Sequence, residues 1–498
     1  MLPDAVELLT VAEMAEAERL ATSGTGLAMI DLMERAGSAV ARATAARCPA
    51  GPVVVLCGPG NNGGDGFVAA RLLAGQGRDV TVALLGRIDA LKGDAALNAE
   101  RWNGRVVPLA PEVLDGAAVV IDAVFGSGLA RPLDGLALVT IEALAASGIA
   151  SIAVDVPSGV EGDTGAVLGA AAPAAVTVAF FRRRPAHLLQ HGRSLCGTTR
   201  VADIGIGATV IDRINPRLSA NEPGLWQRRY PWPRRDGHKY DRGLALIRAG
   251  GAMTGAARLA AHAALRAGAG LVVVAAPTKA AGAFRDGHAG VIVRDMACAA
   301  DFVAMVGERR ATAVLVGPGN GVDEATRQAV LAAIAVGKAT VLDADALTVF
   351  TGAVDSLTAA IAAAGAGQVV LTPHEGEFGR LFPCLAGQGG RLARARTAAV
   401  QTGAIILLKG SDTIIAAPDG RAAITHTAPP ELATAGSGDV LAGFATALLA
   451  QGMPAYEAAC AAAWMHGEAA TVFGAGLIAE DLPDALPHVL SLMRGKAV

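Results

Sequence analysis

The chain is poor in several things that would direct it to other classes of protein. Aromatic residues make up only 4% of its 498 positions. Its six cysteines (48, 57, 196, 298, 384 and 460) are scattered without a C-x-x-C pair, which argues against a disulfide framework or a cysteine zinc site and reads as buried cytosolic thiols. Long apolar runs are missing although 52% of residues are hydrophobic, because alanine and glycine supply much of that share. Arg258, His262 and Arg266 break the run before Leu271, and no stretch reaches the roughly 18 apolar residues of a membrane span. The first 20 residues carry Asp4, Glu7, Glu13, Glu16 and Glu18 and lack the basic start and apolar centre of a secretion signal. A formal net charge of −3 argues against general nucleic-acid binding. What remains is a long Ala- and Gly-rich α/β chain, expected to form two or three domains and to act on small molecules.

The first half alternates short apolar strands with glycine-bearing turns. Residues 11–47 read as one or two helices. Pro52–Cys57 reads as a strand, followed by Gly58-Pro-Gly-Asn-Asn-Gly-Gly-Asp-Gly66 and a helix expected near Phe67. Gly58, Gly60 and Gly63 fit a dinucleotide-type turn, but the next strand ends in Leu84-Leu-Gly-Arg87 without an acidic residue. Asn61, Asn62 and Asp65 instead offer hard oxygen ligands, suited to a cation or to sugar hydroxyls. Two further strands end in chemistry: one at Asp122 before Gly126-Ser-Gly128, the other at Asp155 before Pro157-Ser158-Gly159. Parallel strands set such tips side by side, so Asn62, Asp122 and Ser158 are expected to share an oxygen-lined site. Each aspartate taken singly reads equally as a turn cap.

The four ordered segments Gly60–Gly66, Asp122–Leu129, Val154–Val160 and Ala179–Leu189 resemble the NAD(P)H-hydrate epimerase domain. The resemblance implies a Rossmann-like three-layer sandwich over residues 1–212 that interconverts the R and S forms at C6 of hydrated NADH or NADPH. It implies potassium (K+) held by Asn62, Asp122 and Ser158. Substrate would lie on Asn61, Asn62, Gly63, Gly64 and Asp65 and on Gly126, Ser127, Gly128, Leu129, Ala130, Arg131 and Pro132, with Asp155 as the acid/base. Arg182-Arg-Arg-Pro stands where that family more often has Lys-Pro.

Residues 208–237 lose the apolar periodicity and collect Asn215-Pro216, Glu222-Pro223 and Pro231-Trp-Pro233, so 213–224 is expected to be a linker. From 225 on, apolar strands near 244–247, 270–275, 313–316, 339–342, 368–371 and 404–408 alternate with helices, the pattern of a large parallel sheet. Their tips carry Gly317-Pro-Gly-Asn-Gly321, Asp343-Ala-Asp345, Thr372-Pro-His-Glu-Gly-Glu377 and Lys409-Gly-Ser-Asp-Thr413. Ala433-Thr-Ala-Gly-Ser-Gly-Asp-Val-Leu441 then runs straight into an apolar helix. That turn aims backbone N–H groups at an anion, with Asp439 beside it as either a base or a simple helix cap.

This second series resembles the ADP- or ATP-dependent NAD(P)H-hydrate dehydratase, a ribokinase-like α/β domain with a large, mostly parallel sheet, here spanning 225–498. The resemblance implies that Lys409, Gly410, Ser411, Asp412, Thr413 and Gly438 contact ADP or ATP with magnesium (Mg2+). Ala256, Gly321 and His374 would contact the hydrate, Asp439 would touch its 6-hydroxyl, and Gly436, Ser437 and Gly438 would form an anion hole. Tyr240 stands where that family usually has glycine. A ribokinase-like kinase for a small alcohol would keep the same anion hole and base. The expected assembly is a cytoplasmic homo-oligomer without nucleic-acid or membrane partners.

Overall fold

Residues 5–23, 27–365 and 368–496 are described by the computed structural model. Met1 to Asp4, part of the acidic start, lie outside them. The chain forms two compact units, Met1–Leu218 and Ser219–Val498.

The first unit is built on seven strands: β1 (Val53–Cys57), β2 (Val80–Leu84), β3 (Arg105–Pro108), β4 (Val119–Ala123), β5 (Ser151–Val154), β6 (Val176–Phe180) and β7 (Thr198–Ala202). They pair all in parallel in the order β3-β2-β1-β4-β5-β6-β7. Alternate residues of a strand point to opposite faces. Val53, Val55 and Cys57 therefore pack with the helices Met29–Arg47 and Asn61–Gly75, while Val54 and Leu56 pack on the other side with Gly135–Ser147. The result is a three-layer α/β/α sandwich. Strand order reverses between β1 and β4, which opens a crevice at their carboxyl ends, where Asn62, Asp122 and Gly126 sit.

The helix after β1 starts at Asn61, not near Phe67, so the Asn-Asn-Gly-Gly-Asp-Gly stretch is its first turns rather than a loop. Small residues are needed there because the helix docks closely. A Cβ on Gly63 would lie 1.9 Å from the Gly58 carbonyl oxygen, and one on Gly64 2.6 Å from Met33 Sδ.

The second sheet has ten strands: β8 (Leu218–Ala220), β9 (Leu244–Arg248), β10 (Leu271–Pro277), β11 (Val291–Met296), β12 (Ala313–Val316), β13 (Ala339–Leu342), β14 (Val369–Leu371), β15 (Ile405–Leu408), β16 (Ile414–Ala416) and β17 (Ala422–Ile424). Their order is β11-β10-β9-β12-β13-β14-β15-β16-β17-β8. The seven from β11 to β15 run parallel, and β16 and β17 add an antiparallel hairpin. The stretch expected as a linker is structured: β8 extends the sheet and Pro223–Trp226 is a helical turn. Its anchor is polar and buried, which explains why no apolar period marks it. Asn221 donates to Thr425 Oγ1 at 2.8 Å and to the Cys460 carbonyl at 2.7 Å, and accepts from Trp226 Nε1 at 3.1 Å.

Strand order reverses again between β9 and β12. The helix Ser437–Ala450 lies across this region, buried from Val440 to Ala450. Gly443 makes the approach possible, since a Cβ there would stand 2.3 Å from the Ala260 carbonyl oxygen. No helix among the described residues is long and apolar enough to cross a membrane.

Candidate functional sites

In the first unit, Asp122 lies on β4, paired in register with Leu56 of β1 and Ala153 of β5. It is 1% exposed. Ser158 donates to it twice, from N–H at 2.8 Å and from Oγ at 2.5 Å. Phe125 N–H donates to Ser158 Oγ at 2.9 Å. Asn62, with its amide turned to satisfy both ends, donates to the Val154 carbonyl at 3.2 Å and accepts from Gly126 N–H at 3.3 Å. Asp122 and Ser158 thus contact each other directly, while Asn62 is held by the Val154 and Gly126 backbone. Burial raises the Asp122 carboxyl, and its hydrogen bonds from Ser158 and Val124 only partly oppose this. Among the described residues no cationic side chain pairs with Asp122. Its hydrogen-bonding neighbours are neutral, so the charge of its ionised form is not compensated by a side chain.

Asp155 follows β5 immediately and has a left-handed backbone, φ +64°. Its Oδ2 accepts Ser127 N–H at 2.9 Å, while Oδ1 is buried without a hydrogen-bond partner and lies 3.7 Å from the Arg184 guanidinium. Burial alone would raise this carboxyl. The Arg184 charge, the Ser127 hydrogen bond and His187 outweigh it and hold the group below its ordinary value. Asp65 shows the opposite outcome: burial, then the charges of Asp155 and Glu18, push it well above the usual range. Glu18 is raised as well, by burial first.

The expected residues separate into groups. Asn62, Asp65, Gly126, Ser127 and Asp155 surround the crevice. Gly126 belongs there by necessity, since a Cβ would stand 2.9 Å from the Asn62 amide and 3.2 Å from Asp155 Oδ2. Asn61, Gly128, Ala130, Arg131 and Pro132 are exposed and Leu129 is half-buried, so they form a rim. Gly63 and Gly64 are buried at the close helix contacts described above. Arg184, His187 and Glu18 are additions. Arg184 and His187 stood inside a recognised motif, where adjacent basic residues signalled only charge. Glu18 had no signal, because a glutamate on an amphipathic helix reads as a solvated face.

In the second unit, the helix Ser437–Ala450 is capped by Gly436 in left-handed conformation, φ +89°, with no side-chain cap. Ser437 N–H makes a long 3.4 Å bond to the Thr434 carbonyl, which leaves the next N–H groups, of Gly438 and Asp439, to face an anion. Asp439 is the third helical residue and not the cap, which removes the simple capping explanation. Burial, then the Asp343 charge, push its carboxyl up to about 6 against the opposing pull of Lys409. Lys409 Nζ lies 2.7 Å from Asp343 Oδ1 and 3.9 Å from Glu377 Oε2, and a Cβ on Gly438 would be 3.5 Å from that same nitrogen. The lysine therefore stands at the helix start within an acidic cluster. Burial would lower its pKa, but Asp343, Glu377 and Asp439 raise it overall. Thr372 Oγ1 donates to Asp343 at 2.8 Å, and Gly321 N–H donates to Asp345 at 2.8 Å. Behind the turn, buried His466 Nε2 lies 2.9 Å from the Ser437 carbonyl oxygen.

Gly410 and Ser411 are exposed beside Lys409. Asp412 is not: it is 2% exposed and ion-paired with Arg391 at 3.1 Å, so it braces the loop. Thr413 Oγ1 likewise closes the turn, accepting from Gly410 N–H at 3.1 Å and donating to its carbonyl at 2.8 Å. His374 caps the helix Glu375–Leu381, its Nδ1 accepting from Gly376 N–H at 3.0 Å while the ring stays half-exposed. Ala256 sits half-buried in the first turn of Thr254–Arg266, and Gly321 is exposed with φ +86°. Asp343, Asp345 and Glu377, which the sequence marked only as strand-tip residues, come in beside these: Asp343 and Glu377 on Lys409, and Asp345 on the Gly321 N–H.

The chain is 37% identical to the bifunctional NAD(P)H-hydrate repair enzyme Nnr of Moorella thermoacetica over 97% of this chain and 96% of that one. It is 32% identical to the protein of the same name from Escherichia coli, over 96% and 93%. The ADP/ATP-dependent NAD(P)H-hydrate dehydratase of Bacillus subtilis, co-crystallised with ATP/Mg2+, is 28% identical, with 52% of this chain and 93% of that chain covered at a TM-score of 0.45. The family described as YjeF-related protein N-terminus matches residues 29–186, and that described as NAD(P)H-hydrate dehydratase matches 245–490. The chain belongs to the bifunctional NAD(P)H-hydrate repair enzymes.

Proposed function

We propose that the first unit interconverts the R and S forms of hydrated NADH or NADPH at C6, and that the second dehydrates the S form at the expense of ADP or ATP. One observation carries the reading: a carboxylate poised at about 6, Asp439, shares a single helical turn with an uncapped anion site and an adjacent lysine.

A hydroxyl is a poor leaving group, and phosphorylation makes it a good one. Asp439 takes the C6 hydroxyl proton as the oxygen attacks the terminal phosphorus. The N–H groups at Gly436, Ser437 and Gly438 and the Lys409 ammonium stabilise the phosphoryl group in flight. The C6–O bond then breaks, the ring nitrogen supplies the electron pair, phosphate leaves, and loss of the C5 proton restores the double bond. ADP yields AMP and ATP yields ADP. Magnesium bound with the nucleotide would screen its phosphates. Gly410 and Ser411 offer exposed contacts to the nucleotide, and Ala256, Gly321 and His374 to the hydrate.

In the first unit Asp155, its charged form favoured by Arg184, takes the C6 hydroxyl proton as the C6–N1 bond breaks to an open-chain aldehyde. It passes that proton to the departing nitrogen, and the reverse steps on the other face of the aldehyde close the ring with C6 inverted. Potassium would be held by Asn62, Asp122 and Ser158, where it supplies the positive charge that buried Asp122 lacks. A single chiral pocket accepts one epimer, so joining the two activities lets both forms drain to product. Residues 1–212 are assigned to the first activity and 225–498 to the second, in a cytoplasmic homo-oligomer acting on small molecules.

The test is incubation of the full chain with mixed R and S hydrates and either nucleotide, with and without potassium. The expected result is complete recovery of the reduced-nicotinamide absorbance with an equal release of phosphate. A stable phosphorylated alcohol without absorbance recovery would identify a small-molecule kinase instead.

A further inference from the structure

Asp155 is held by its backbone as well as by its carboxylate. Its left-handed conformation is uncommon for a residue with a side chain and needs neighbours that enforce it. Its N–H donates to the Val178 carbonyl of β6 at 2.9 Å, and its own carbonyl oxygen lies 2.8 Å from His187 Nε2. The other ring nitrogen fixes the sense of that contact. His187 Nδ1 accepts the Arg184 N–H at 2.7 Å, so the ring proton is on Nε2 and Nε2 donates to Asp155. Burial, working against the attraction of Asp155, lowers the ring to about 4, so it stays neutral and in one tautomer at physiological pH. Arg184 caps the single turn Pro185–His187, and His187 ends it. One short segment therefore touches Asp155 at both ends, the guanidinium beside the carboxylate and the imidazole on the carbonyl.

On the reading of the first unit given above, we propose that His187 is a positioning residue for epimerisation: its Nε2–H holds the Asp155 peptide left-handed, which keeps Oδ2 on Ser127 N–H and Oδ1 beside the Arg184 guanidinium. Without this donor the peptide relaxes and the carboxylate swings away from the reacting carbon.

The experiment compares full-length His187→Gln, His187→Asn and His187→Leu with the wild type on purified R hydrate. The melting transition of the first unit in each chain reports that this unit is folded, and dehydration of S hydrate reports the same for the second. Gln can place a donor where Nε2 was, so it retains activity to within about tenfold. Asn reaches only the Nδ1 position and Leu offers neither group, so both lower epimerisation kcat by about a hundredfold with little change in KM. The groups facing Asp155 are Arg184 and His187 from their turn, Asp65 from Asn61–Gly75, Glu18 from Val11–Thr22 and the Cys196 thiol from Gly192–Cys196. Once the carboxylate leaves Ser127 and Arg184, burial and the two acids dominate, and the acid limb of the Asn and Leu profiles moves up by about one pH unit or more. A wild type that leaves R hydrate unchanged would overturn the reading of the unit and this role with it. An active wild type beside an equally active His187→Leu, or equal losses in Gln, Asn and Leu with an unmoved pH profile, would overturn the role alone.

Discussion

Lys409 and Asp343 form a 2.7 Å ion pair in front of Asp439. The pair sets the working state of that carboxylate, because Asp343 raises its pKa and Lys409 lowers it. Removing one partner therefore moves the pH profile of dehydration in a stated direction. Asp343→Asn takes away the largest raising charge after burial, so the acid limb shifts down by about one unit. Lys409→Met shifts it up and also strands a nearly buried Asp343, at a cost of about 3–5 kcal/mol. Rate profiles of the two variants that move in the same direction would contradict this coupling.

Asp439→Asn separates activity from stability. The folded carboxyl is raised to about 6 from a reference of 3.8, so the folded chain binds the proton more tightly than the unfolded one. The stability this group contributes is fully present below the unfolded value and is lost as pH rises through about 6. Near pH 8 the ionised carboxylate costs the fold about 3 kcal/mol. Asn carries no such charge, so the variant should melt higher than wild type near pH 8 and close to it near pH 4. Dehydration should fall by about 10²–10⁴-fold while nucleotide affinity and epimerisation persist. Full dehydratase activity in this variant would refute the proposed base.

Much of this was readable in the sequence, and the reasons for the exceptions are physical. Buried parallel strands are short and apolar, so β1, β4, β12, β13 and β15 stand out, and a chemically loaded tip marks the end of each. The hairpin β16–β17 and strand β8 lack that contrast, being three residues each and held partly by the Asn221 hydrogen bonds. Asp439 and Lys409 could be named because turn glycines announce them. Their dependence on Asp343 and Glu377 could not, because those residues approach from other strand tips and meet only when the sheet assembles. Asp412 shows the converse: it belongs to the right loop, but its carboxylate turns inward to Arg391.

Gly126→Ala tests how tightly the first crevice is built. The added methyl would lie 2.9 Å from the Asn62 amide and 3.2 Å from Asp155 Oδ2, closer than either can accept in place. Both groups are functional candidates and both can rotate outward, so the fold gives way locally at a cost of about 1–3 kcal/mol. The expected signature is a loss of epimerisation of about a hundredfold with dehydration unchanged. Wild-type epimerisation in this variant would mean that the Asn62–Asp155 gap is not where the substrate reacts.

The potassium assignment has a readout independent of catalysis. Asp122 is raised by burial, with Ser158 and Val124 opposing, so the folded unit favours the protonated form. Stability from this group is present at low pH and lost as pH rises through its raised value. A cation seated on Asn62, Asp122 and Ser158 binds the ionised form and returns that stability, by about 2.7 kcal/mol at a hundred times its dissociation constant. Potassium should therefore raise the melting temperature of the first unit more near pH 8 than near pH 5, and more than sodium at equal ionic strength. Asp122→Asn should abolish the potassium response and leave the second unit's transition where it was. An equal response to potassium in wild type and Asp122→Asn would remove the cation from this site, because the carboxylate is the one full charge among the three proposed ligands.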